Sequence, residues 1–125
     1  MFGVSAFPCS SDVLPKAVTL LSLPDVAEQL GIVVTRVHQM LRDHQLIAVR
    51  RDGVAGIPAE FFDESGQVTK HLTGLITVMR DSKYTDEEIL EWIYTVDDSL
   101  PGRPIDALHG PLAREVIRRA AADPF

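Results

Sequence analysis
Leu23, Val26, Ala27 and Leu30 fall at the three-, four- and seven-residue spacings that put apolar side chains on one face of a helix. Ser22 stands before them as a cap, Pro24 and Asp25 occupy the first turn, and Gly31 supplies the stop. A short connection through Gly31, Ile32 and Val33 leads to a second helix over residues 34–43. That helix buries Val34, Val37 and Leu41, with Met40, and turns Arg36, His38, Gln39 and Arg42 outward. The period then changes. Residues 46–51 read as a strand, Asp52 and Gly53 as a hairpin turn, and residues 54–57 as the return strand. Pro58 ends it, and residues 59–62 form a short helical turn.

The remainder of the chain is helical in pattern. Apolar residues at 68, 72, 75, 76 and 79 predict a helix over residues 68–80, mildly interrupted by Gly74. Thr85 and Glu88 are spaced as a capping box for a helix that buries Ile89, Leu90, Trp92 and Ile93. The stretch Pro101, Gly102, Arg103, Pro104 reads as a loop, and a last helix over residues 111–122 buries Leu112, Val116, Ile117 and Ala120. Residues 1–16 show no period and are expected to be a mobile tail, in which Ser5, Ser10 and Ser11 are candidate phosphate acceptors. The expected fold is therefore mainly α with a small β-hairpin. A flexible tail (1–16) precedes a winged helix-turn-helix unit (17–62) and an acidic helical C-terminal domain (63–125).

Helix, glycine turn, helix and hairpin occur in the order of a winged helix-turn-helix. Residues 21–32, then Val37, Leu41, residues 46–50, Gly53, Ile57 and Pro58, resemble the MerR/excisionase type of winged helix. A broader likeness rests on Val49, Arg50 and Arg51, Ile57 and Pro58, Phe61 and Phe62, residues 65–68, Leu72, Gly74 and Leu75, residues 104–109 and residues 113–116. On these residues the chain resembles a small actinobacterial family of winged helix-turn-helix DNA-binding proteins. The resemblance implies a DNA-binding regulator and phosphorylation by a membrane serine/threonine kinase. The C-terminal half, with Trp92 on a helix ahead of the Pro104, Ile105, Asp106, Ala107, Leu108 segment, also resembles the toxin-binding domain of Xre-type antitoxins. Two positions depart from the winged-helix pattern. Val33 stands where Ser or Thr usually begins the second helix, and Val54 and Ala55 stand where the wing usually carries a basic residue.

Charge qualifies this reading. A net charge of −6 opposes binding to phosphates if it is spread evenly. It is not: residues 1–52 hold five basic and five acidic side chains, and residues 53–125 hold seven against thirteen. Residues 36–51 alone carry four arginines against one aspartate. The candidate DNA-binding set is Thr35, Arg36, His38, Gln39, Arg42, Arg50 and Arg51, side chains that reach base edges or phosphates. Arg50 and Arg51 alternate on their strand, so only one can face the duplex. A monomer so equipped binds modestly, losing about tenfold or more as salt rises severalfold.

Other chemistries find no footing in the sequence. It has no glycine-rich phosphate loop, nucleophile elbow, zinc signature or dinucleotide fingerprint, and no catalytic residue, cofactor or metal is expected. Cys9 is the only cysteine, and His71 and His109 are isolated. Asp86, Glu87 and Glu88 sit in a helix's first turn, where the macrodipole favours anions. Residues 17–23, the longest apolar stretch, are far short of a membrane span, so no membrane partner is expected and the setting reads as cytoplasmic. Two function classes stay open: a transcriptional regulator on double-stranded DNA, and an adaptor or antitoxin-like module whose acidic C-terminal helices bind a protein partner.

Overall fold
In the computed structural model, which describes residues 7–100 and 102–122, β1 (Ser10–Ser11) and β2 (Leu20–Ser22) precede helix α1 (Leu23–Leu30). Ser22 Oγ accepts the Asp25 amide at 3.2 Å, and Gly31 closes the helix at φ 72°, a left-handed conformation natural to glycine. Helix α2 (Val34–Arg42) buries Val37 and Leu41 completely, while Val34 and Met40 pack on the core more loosely. Strand β3 (Val49–Arg51) turns through Asp52 and Gly53 into β4 (Val54–Pro58). Both turn residues have positive φ, 53° and 79°, the paired left-handed geometry that suits an Asp-Gly hairpin.

The sheet is larger than the expected hairpin. Its order is β1-β3-β4-β2: β3 and β2 flank β4 antiparallel, and β1 runs parallel to β3 with Ser10 opposite Val49. Gly56 lets β2 approach, since a Cβ there would stand 2.9 Å from Leu20 Cβ. The expectation of a mobile tail through residue 16 is thereby corrected from Phe7 onward. Ser10, Leu14 and Val18 are buried, and the Ser10 amide donates to the Ala48 carbonyl at 2.8 Å. Ser5 lies outside the described residues.

The acidic half packs beneath this layer as α3 (Leu72–Asp81), α4 (Asp86–Ile93), α5 (Pro104–Leu108) and α6 (Ala113–Ala122). The capping box at α4 is formed: Glu88 N donates to Thr85 Oγ1 at 3.1 Å, and Thr85 N to Glu88 Oε1 at 2.8 Å. Helix α3 starts four residues later than the apolar pattern suggests. Val68 instead bridges to Phe62, and Thr69 N donates to the Phe61 carbonyl at 2.8 Å. Helix α5 arises within a stretch read partly as loop. Arg103 at its start bonds both oxygens of Asp106 and reaches Glu60 Oε2 at 2.6 Å, tying α5 to the residues after β4. Pro101 of that stretch lies outside the described residues. Leu112, expected to be buried, is 39% exposed because α6 begins only at Ala113. Trp92 is half-buried at the edge of the core. Buried residues from both halves form one apolar cluster, with Phe61, Leu72, Ile76, Ile89 and Val116 fully enclosed.

Arg51 holds the N-terminal strand. Its guanidinium pairs with Asp12 (2.6 Å) and donates to the carbonyls of Val18 (2.8 Å) and Pro15 (3.4 Å). The hydrogen bond from Arg51 keeps the Asp12 carboxyl below its usual range and raises the guanidinium in turn. Because the folded-state value of Asp12 is depressed, the stabilisation is present above the ordinary carboxylate value and is lost as pH falls through the folded value. Arg51→Ala should destabilise the fold by about 1–2 kcal/mol and speed hydrogen exchange at the Ser10 amide. The stability gap between wild type and variant should close on acidification, as urea titrations across pH will report.

Candidate nucleic-acid interface
Helix α2 presents its polar face because Val37 and Leu41 commit the opposite face to the core. Thr35, Arg36 and Arg42 are exposed, and His38 and Gln39 are half-exposed. Gln39 is held at both ends of its amide: Nε2 donates to Asp43 Oδ1 at 2.8 Å and Oε1 accepts from Arg42 Nη2 at 3.0 Å. This chain orients Arg42 along the outer face before any ligand arrives, which lowers the cost of ordering a long side chain.

The hairpin divides its two arginines as the strand period requires. Arg50 is exposed, donating to the Gly53 carbonyl at 3.3 Å and to Cys9 Sγ at 3.7 Å, so its charge lies along the wing. Arg51 turns to the other side, into the Asp12 pair, and is spent on the fold. The structure therefore places Thr35, Arg36, His38, Gln39 and Arg42 on one helix and Arg50 on the wing, and takes Arg51 out of that surface.

Two residues missed by periodicity lie against the candidate surface. The Phe7 ring stacks on His38, with centroids 4.8 Å apart and planes 23° from parallel. Cys9, two residues on, meets Arg50, so the segment before β1 passes from α2 to the wing. Burial raises the Cys9 thiol, with Arg50 only partly opposing this, so the sulfur remains a neutral thiol. Neither residue carried a sequence signal, because each is placed by partners about thirty or forty positions away.

Among the described residues no group of three or more His, Cys, Asp or Glu side chains could hold a metal ion. No described helix is long and apolar enough to cross a membrane.

A helix-turn-helix with a polar second helix, followed by a two-stranded arginine-bearing hairpin, defines a winged helix-turn-helix protein. The chain belongs to the family of the mycobacterial DNA-binding protein Rv2175c. The profile "DNA-binding protein Rv2175c, wHTH domain" matches residues 6–62, and "Rv2175c C-terminal domain of unknown function" matches residues 69–123. DNA-binding protein Rv2175c of Mycobacterium tuberculosis is 46% identical over 131 residues, which span 95% of this chain and 90% of the relative. The NMR structure of Rv2175c aligns with a TM-score of 0.86 at 45% identity, covering 98% of this chain and 92% of that one. The first match begins ahead of β1, in accord with a winged-helix unit that includes the N-terminal strand.

Proposed function
We propose that the protein is a DNA-binding transcriptional regulator that inserts α2 into the major groove and lays the β3–β4 hairpin along the backbone as a wing. The observation that carries this reading is the outward face of α2, where Thr35, Arg36, Gln39 and Arg42 are presented together while the apolar face is locked in the core. The name of the relative points the same way. Arg50 supplies the wing's phosphate contact, and the acidic helices restrict approach to one orientation by repelling the duplex.

The acidic half also has a structural role within the chain. Glu87 Oε2 accepts the Ser11 amide at 2.9 Å, which keeps that carboxyl below its usual value, and Arg103 joins Glu60 to α5. Both contacts brace the winged helix from below. Control by a serine/threonine kinase belongs to the same reading. Of the described tail serines, Ser10 is buried and Ser11 is exposed, so Ser11 is the one presented to such an enzyme.

Selection of duplexes from a random pool, run beside light scattering, tests the assignment. The expected result is an enriched sequence bound more tightly than random duplex, with affinity falling steeply as salt rises. Equal affinity for enriched and random duplex overturns it.

A further inference from the structure
Helix α2 begins without the residue type that usually begins a helix. Val33 occupies its N-cap in extended conformation (φ −80°, ψ 154°), and no side-chain hydrogen bond closes the first turn. Its carbonyl accepts the Arg36 amide at 2.9 Å, so the backbone of a cap is complete and only the capping side chain is missing. Ser, Thr, Asp or Asn at this point would satisfy an orphan amide, whereas valine is among the poorest caps. Core packing does not explain the choice either. Val33 is 69% exposed, the highest value among the large hydrophobics at the surface of the described residues, ahead of Val96 and Val54. The next residue, Val34, turns partly into the core, which leaves Val33 directed outward.

Its place suggests what the methyl groups meet. Val33 adjoins Thr35 and Arg36 at the N-terminal end of α2, the end that in helix-turn-helix proteins approaches base edges. In the major groove the apolar feature a base pair offers is the C5 methyl of thymine. A β-branched side chain has few rotamers to lose on contact, so a valine held there forms a stiff apolar probe. We propose that Val33 is a specificity-determining residue that recognises a thymine through its C5 methyl group. The inference rests on the DNA-binding reading above and adds to it one base preference and the atom that carries it.

The test uses the full chain and the duplex enriched from a random pool. Each thymine is replaced in turn by deoxyuridine, which removes the methyl group alone. Wild-type affinity is expected to fall about three- to fivefold at one thymine, the scale of one buried methyl. Val33→Ser should bind the thymine and deoxyuridine duplexes equally, with a melting temperature at or above wild type because serine restores the cap. Val33→Ala should lose the discrimination in the same way, without a new hydroxyl. A wild type indifferent to every thymine methyl, or a Val33→Ser and Val33→Ala pair that discriminate as wild type does, overturns the proposal and leaves DNA binding intact. A wild type with no preference for enriched over random duplex overturns the regulator reading, and this proposal with it.

Discussion
Arg42→Glu lowers affinity for the enriched duplex by about ten- to hundredfold at low salt, the scale of one well-placed arginine contact. Two effects combine. The cation is lost, and a carboxylate is set against phosphates in its place, close to Asp43, which already carries a negative charge at the end of α2. The substitution also breaks the hydrogen bond from Arg42 to Gln39, so the amide that faces outward loses one of its two holds. Helix α2 itself should survive, because Arg42 is exposed and its last turn rests on Leu41 in the core. Unchanged circular dichroism with a large fall in fluorescence-anisotropy affinity is the expected pair of readings. If Arg42 meets a phosphate, the slope of log affinity against log salt drops by about one; if it meets a base, the slope holds and preference relaxes at one position. The same exchange at Arg51 offers a contrast: it unsettles β1 before it affects DNA. Affinity that is unaltered in Arg42→Glu at low salt would place the interface elsewhere.

Phe61→Ala produces the largest expected loss of stability, about 3–5 kcal/mol for a fully buried aromatic truncated to a methyl. Against a total of about 5–15 kcal/mol for a domain of ordinary stability, that is a substantial fraction. The melting temperature should fall by about 10–20 °C. Phe61 lies just after β4, while the only tryptophan, Trp92, lies on α4, so one perturbation and one probe sit in opposite halves. Since buried residues of both halves share one cluster, the Trp92 fluorescence transition and the far-UV transition should shift together. A Trp92 transition that stays at its wild-type midpoint would show that the C-terminal helices unfold on their own.

The elements legible in the sequence are those whose instructions are local. The apolar spacing of α1, its Ser22 cap and Gly31 stop, the Asp52-Gly53 turn and the Thr85–Glu88 capping box each involve residues a few positions apart. The outward face of α2 follows from the same arithmetic, and with it most of the candidate interface. Helix α5 escaped because it is five residues long and opens on a proline; Arg103 defines it by bridging Asp106 and the distant Glu60. Strand β1 escaped because two residues carry no period, and it exists only through pairing with β3.

Arg50 and Arg51 divide the two kinds of information. Strand alternation alone dictates that the two side chains point to opposite faces, and the neutral charge of residues 1–52 alone concedes that one face can meet DNA. Which arginine does so depends on Asp12, 39 residues away, whose carboxylate takes Arg51 and leaves Arg50 on the wing. Sequence by itself determined the helices other than α5, the hairpin and the polar face of α2, because a backbone's period and caps act over one or two turns. Tertiary structure alone decided strands β1 and β2, the role of Arg51 and the exposure of Val33, because burial and ion pairing depend on groups brought close only by the folded chain.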